Sequence, residues 1–460
     1  MRSLITALND RWTADWRGPH SHTTLLPTTG HDTRSLRLEL AARAAALEAA
    51  LAEHPTLHAA RIVVVPPDLG HGPRLLINSV ADGELGTHTR RLATLLWPHL
   101  VDLLASAPAS PDELAHDLRR HRSPDATLFL ASPGLSLTQI RQEARLHQVL
   151  REWVAQERAR GTLAALSLEE ARQAARHHVL TLNDPSCARA PTPPGAGAWR
   201  KRADLLLTYL FFPILGVLAK DVWLAARQTT PGLRRGLATL LTALWALYAL
   251  PFTALAMLAL RIAEHLEPDP IPTPASEAKL HHLEVFEEGR TKNELTIWFP
   301  VKPTWYGRLL MRVILFGSER GTRHLWTRGT LAGAQNIHFA RLLTLDGGRR
   351  MVFMSDYQGS FDAYINHFIG VGGHTRAVIP ISSRVEGCPK TRWLYWPRDT
   401  VSFRQRWRAM VRSYQLQASV RFVAYPELSA NDILRHHALR RDLFADHLTP
   451  EALAAWAHQI

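Results

Sequence analysis

His338, Arg341, Asp356 and Tyr357 are the residues whose types could carry chemistry within one short stretch of this chain. A histidine titrates near neutrality and serves as ligand, acid or base. A carboxylate, a phenol and a guanidinium beside it would complete a polar site, and Asp362 and Tyr364 just downstream could join it. His338 and Arg341 are three apart, so in a strand they face opposite ways and form no simple pair. If Asp346-Gly347 makes a two-residue turn, His338 falls opposite Ser355. Against the functional reading stands a plain one, in which a strand-end histidine bonds nearby backbone and the acidic and hydroxyl residues serve turns and caps. The doublets His177-His178, His281-His282 and His436-His437 lack the spacing of a metal site, so no metal is expected. Neither a phosphate-binding loop, a dinucleotide fingerprint nor a nucleophile elbow is present.

These residues belong to a segment, 338–361, that reads as a β-hairpin followed by a helix start. Apolar runs at 339–345 and 350–355 flank Asp346-Gly347-Gly348, a strong hairpin signal. Both runs are apolar at nearly every position, which predicts a sheet covered on both faces. A degraded copy lies at 58–85. His58-Ala-Ala-Arg61 matches His338-Phe-Ala-Arg341, and Ser79 matches Ser355. Further on, Ala131-Ser-Pro-Gly-Leu-Ser136 matches Ala424-Tyr-Pro-Glu-Leu-Ser429, with Ile140, Leu146 and Leu150 matching Ile433, Leu439 and Leu443. Two blocks in the same order indicate an internal duplication. Ser136 with Gln139, and Ser429 with Asp432, predict capped helix starts.

Each half therefore predicts the order β-α-β-β-α-β, the ferredoxin-like split motif. In the first half the strands fall near 23–27, 57–80 and 126–132, with helices at 33–53, 87–106 and 137–160. In the second, a strand from Glu294 to Val301 precedes a helix at 305–317, the hairpin, a helix at 361–369 and a strand at 419–425. The fold expected is α+β: two ferredoxin-like halves, 1–182 and 277–460, forming a pseudo-dimeric α/β barrel around an inserted hydrophobic helical hairpin.

That insert is 203–262, set off by linkers at 183–202 and 263–276. Residues 236–260 carry no charge, and as a helix they reach roughly 37 Å, enough for a bilayer core. The formal net charge is +13, nearly all of it arginine, which favours an anionic partner. Arg200, Lys201, Arg202, Arg234 and Arg235 surround the insert, and Arg404, Arg406 and Arg408 mark a basic helix; all are candidates for anionic headgroups. Because both halves must lie together, the insert would cross twice, leaving both in the cytoplasm at a bacterial inner membrane. Two cysteines give no disulfide framework. Neither hairpin has the aromatic, basic strand of an RNA-recognition sheet, so nucleic acid is not an expected partner.

His338-Phe-Ala-Arg341, Phe353-Met-Ser-Asp-Tyr-Gln-Gly-Ser360 and Val301-Lys-Pro303 resemble the motifs of a bacterial family of uncharacterised proteins, which pair two such halves around a hydrophobic middle segment. At greater distance the tandem arrangement is similar to the dimeric α/β-barrel superfamily, which includes chlorite dismutase-like and dye-decolorising-peroxidase-like haem enzymes. That likeness implies an oxidoreductase with haem as its candidate cofactor, and the expected membrane location points to an apolar or lipid-derived substrate, which a cavity between two sheets beside a bilayer could receive without crossing water. His338, Arg341, Asp356 and Tyr357 would line its cavity. The competing expectation is a non-catalytic membrane-bound scaffold or lipid-binding module whose partners are membrane lipids or a lipophilic small molecule.

Overall fold

A computed structural model describes most of residues 18–182 and 254–459. It contains two antiparallel sheets in an α+β arrangement. The first half supplies β1 (His20–Pro27), β2 (Leu57–Val65) and β3 (Arg74–Ala81), with helices α1 (Thr33–Ala52), α2 (Leu85–Leu100) and α3 (Pro111–Arg120). Then come β4 (Thr127–Leu130), α4 (Leu137–Arg160) and α5 (Leu168–Thr181). After the insert, α6 (Glu277–Glu287), β5 (Lys292–Pro300), α7 (Trp305–His324), β6 (Ile337–Leu345) and β7 (Arg350–Gln358) follow. The chain ends with α8 (Phe361–Ile369), α9 (Thr375–Ser382), α10 (Thr400–Tyr414), β8 (Gln415–Leu416), β9 (Ala418–Val423), α11 (Ala430–Leu443) and α12 (Pro450–Ala457).

Neither half keeps its own last strand. The sheet orders are β1-β3-β2-β9 and β4-β6-β7-β5-β8. The stretch before β4 touches β1, through the Ser123 N–H to Thr23 carbonyl bond (2.8 Å), and β4 then crosses to pair with β6. In the second half β8 pairs with β5, and β9 crosses to pair with β2. Each edge strand is thus completed by the other half, which satisfies backbone groups that would otherwise stand open.

The two hairpins share a register defect. The β2–β3 ladder slips between Leu57 and Ala59, and the β6–β7 ladder between Ile337 and Phe339. His58 and His338 are the residues at the two slips, and Ala60 and Ala340 then face Ser79 and Ser355. His338 consequently does not stand opposite Ser355. The second hairpin closes through four residues, 346–349, because Leu345 pairs with Arg350. Asp346, Gly347 and Gly348 all adopt positive φ (50°, 70° and 90°), a geometry the glycines accept without cost.

Outer faces of both sheets are covered by helices. Leu36, Leu40 and Leu47 of α1, with Leu92 and Leu96 of α2, pack on Ile62, Val64 and Ile77. On the second sheet, Met311, Phe361, Phe368, Phe403 and Trp407 pack on Leu295, Ile297 and Leu342. The inner faces meet each other: Val63, Val65 and Leu76 touch Trp298, Leu343 and Val352. Apolar residues on both sides of each strand are what this double cover requires.

Helix starts follow the capping signals. Ser136 accepts from the Gln139 N–H, and Ser429 with Asp432 closes a complete capping box. The box expected at Ser136 is only half made, because the Gln139 amide donates to Glu143 instead (2.9 Å).

The expectation of a transmembrane helix is corrected. Among the described residues no helix is long and apolar enough to cross a membrane, and most of the segment 203–262 lies outside those residues. What is described of its margins binds protein. Asp204 meets Arg320 (2.5 Å) and His324 (2.8 Å), and Glu267 meets Arg384 and Lys302 (2.6 Å each). Buried carboxylates paired in this way fix both margins to the second half.

Candidate functional site

Charges inside a doubly covered sheet must find partners, and they do so at the junction between the two inner faces. Arg61 of β2 reaches across to the opposite sheet. It donates to Asp356 (2.5 Å), to the carbonyls of Leu295 (3.1 Å) and Ser355 (3.2 Å), and to the Thr296 hydroxyl (3.1 Å). Glu294 stands 3.5 Å from the same guanidinium, and its Oε1 accepts from the Ala418 N–H (2.8 Å). Burial raises the Glu294 carboxyl above its ordinary range, opposed by Arg61 and Arg421. Arg421 of β9 donates to the Lys292 carbonyl (2.7 Å).

Lys292 is a strongly perturbed base in this cluster. Its amine donates to the Tyr425 carbonyl and lies 4.5 Å from the centre of the Tyr425 ring. Burial pushes it down to about 7, against the pull of Asp356 and Glu427. The Tyr425 hydroxyl meets His58 Nδ1 (3.0 Å), and His58 Nε2 meets Asp82 (3.0 Å). Asp82 also accepts from the Leu137 N–H at the start of α4 (2.6 Å). The chain Asp82–His58–Tyr425 has the order of a proton relay. Burial raises the tyrosine well above its normal range, so the relay ends on a hydroxyl that stays protonated near neutrality.

The four residues singled out in the sequence separate. His338 and Asp356 join this cluster: the His338 ring lies 6.1 Å from Tyr425, and burial, then Lys292 and Arg421, hold its affinity for protons well down. Tyr357 follows Asp356 on β7 and must point to the other face. There it stacks on Tyr364 of α8 at 4.0 Å, in the outer core. Arg341 is buried further along β6, within electrostatic reach of His22. The four do not line one cavity.

The basic residues proposed for headgroups also find other work. Arg406 holds Asp269 (2.7 Å) and Arg408 holds Asp362, while Arg404 lies on the same helix. Arg200, Lys201, Arg202, Arg234 and Arg235 lie outside the described residues.

Lys292, Glu294, Arg421 and Tyr425 did not stand out as site residues, yet they form most of the cluster. The available signal was charge within otherwise apolar strands: Lys292 and Glu294 before Leu295-Thr-Ile-Trp-Phe299, and Arg421 between Val420 and Phe422.

Among the described residues no group of three or more histidine, cysteine, aspartate or glutamate side chains could hold a metal ion. His338 is buried and lines neither of two cavities among the described residues. The first of these, about 90 Å³, lies under the helices of the second sheet. Phe129, Ile297, Phe353, Phe368, Trp326 and Trp407 form much of its wall. Arg341, Thr127, Ser318, Thr322 and Ser382 also line it, and the Tyr364 hydroxyl in its wall is closed on that of Ser355 at 2.8 Å. No family model matches the chain, and no curated protein or solved structure is significantly similar to it.

Proposed function

We propose that the protein is a non-catalytic binding module that receives the apolar end of a small lipophilic molecule in the cavity beneath α7, α8 and α10. The carrying observation is the chemistry of the wall: among the described residues it is mainly aromatic and aliphatic, Arg341 is its charged member, the Tyr364 hydroxyl is already bonded to Ser355, and no carboxylate, histidine, lysine or cysteine lines it. Such a wall binds without offering groups that make or break bonds. At about 90 Å³ the space is smaller than the ~150 Å³ core cavity that admits benzene. It suits a chain end, with the rest of the ligand outside. Val313 and Phe316 on α7 are exposed large apolar side chains, giving an apolar approach to the same layer.

Trp326 and Trp407 make the test direct. Titration with a medium-chain fatty acid should change tryptophan emission saturably, and Ala340→Phe, which fills the cavity, should abolish the change. An unchanged response in folded Ala340→Phe protein would discard the reading.

We also read the two sheets as ferredoxin-like halves that have exchanged last strands into a pseudo-dimeric barrel. The matched slips at His58 and His338 support this. So do two hydroxyl bonds of equal spacing, Ser79 to His88 and Ser355 to Tyr364, both 2.8 Å. The oxidoreductase alternative rests on His338 and the buried cluster. Absorbance scanning of the purified protein for a Soret band tests its haem-dependent form, and a band lost in His338→Ala would favour it.

A further inference from the structure

A second and larger space, about 800 Å³, opens where the two halves meet on the side of α1 and α6. Its floor is the β8–β9 crossing, 415–419, and its sides are the first turns of α1 and the length of α6. Arg34, Arg37, Lys279 and His282 line it, and among the described residues no aspartate or glutamate does. The nearby carboxylates are engaged elsewhere. Asp32 caps α1 through the Arg34 and Ser35 N–H groups (2.7 and 2.9 Å), and Glu287 holds Arg412 (2.6 Å).

Lys279 is fixed in place by donating to the Ser413 carbonyl (2.6 Å). Burial lowers its proton affinity and Arg37 lowers it further; burial lowers that of Arg37 as well. Exposed Arg37 on the rim and half-buried Lys279 therefore face one space with no carboxylate in its wall among the described residues, an arrangement that an incoming anion relieves. Trp298, Phe286 and Tyr414 supply apolar faces in the same wall. Gln417, on the floor, has a buried Oε1 that no protein donor reaches. The volume falls within the ordinary range for small-molecule sites, ~300–1,000 Å³.

We propose that this groove binds a small organic anion with a flat apolar body, its charge set between Arg37 and Lys279 and its body against Trp298 and Phe286. The site is separate from the apolar cavity and takes a different class of ligand.

The test uses full-length protein and two naphthyl probes, anionic anilinonaphthalene sulfonate and neutral N-phenylnaphthylamine, followed by fluorescence. All titrations are made in Ala340→Phe protein, so that the filled apolar cavity contributes to neither probe. Arg37→Gln/Lys279→Gln should weaken the anionic probe about tenfold or more and leave the neutral one within about twofold. The charge-matched control Arg90→Gln/Arg151→Gln, at exposed positions on α2 and α4, should leave both probes unchanged. Should the double variant fail to fold, competition on the parent protein decides the same point. Naphthalene sulfonate should then displace the anionic probe at concentrations where naphthalene does not. Absence of saturable anion binding overturns the proposal. So does equal loss in the control, or displacement by naphthalene as effective as by its sulfonate.

Discussion

Arg61 binds the two sheets more directly than any other residue in the cluster. Its guanidinium is satisfied by one carboxylate, one hydroxyl and two carbonyls, all from the opposite sheet. Arg61→Ala would remove the nearest cation from buried Asp356 and Glu294, leaving Arg421 at 4.0 Å from Asp356. The expected loss is about 3–5 kcal/mol in urea unfolding, and a loss below ~1 kcal/mol would remove the arginine from this role. Lys292 predicts a pH dependence of definite sign. Its folded value, about 7, lies below the ~10.4 of an unfolded lysine. Between those limits the unfolded chain binds more protons, so stability rises with pH there, by up to ~1.4 kcal/mol per unit. Below pH 7 both states are charged and this contribution stops changing. Lys292→Met should flatten the slope between pH 7 and 10; an unaltered slope would mean that the amine is solvated.

Among the elements, α4 and α11 carry the matched sequence blocks and pack on each other. Both begin at a serine cap after a proline-containing turn, and both carry the matched leucines. In three dimensions these helices pack on each other, with Leu146, Leu150, Leu439 and Leu443 all buried in one cluster. The matched leucines of the two sequence blocks thus meet in one core. Leu146→Ala and Leu439→Ala should each cost about 2–5 kcal/mol. Because they share neighbours, the double variant should depart from additivity by ~0.5–3 kcal/mol; strict additivity would show that the two are not coupled. The hairpin ends repeat this reciprocity. Arg74 of the first half holds Asp346 in the second hairpin's turn (2.8 Å), and Arg350 of the second half holds Asp68 after the first hairpin.

For the molecule as a whole, pairing of β4 with β6 and of β9 with β2 ties the N-terminal and C-terminal parts of the chain together. A fragment 1–182 would lose β9 and expose the β2 edge; a fragment 183–460 would lose β4 and expose β6. Long apolar edges left open invite aggregation. Co-expressed, the two fragments should assemble and co-purify, whereas each alone should be insoluble or oligomeric by size-exclusion chromatography. A monomeric, folded 1–182 fragment would mean that the exchanged strands are dispensable.

Much of this architecture was legible in local patterns. The Asp-Gly-Gly turn, the continuous apolar strands, the serine caps and the matched blocks each depend on residues a few positions apart, so periodicity and turn chemistry placed the hairpins and helices closely. Which half each last strand would join was not legible, because β4 and β9 have the same pattern whichever edge they complete. Nor could spacing reveal that His58 meets Tyr425 or that Arg61 meets Asp356. Those pairs lie 367 and 295 residues apart, and only the facing of one sheet against the other brings them together. The sequence by itself determined the hairpins, the capped helices and the matching of the two blocks. Tertiary structure decided where the charges go, since an ion buried between two sheets must find whatever partner the opposite face presents.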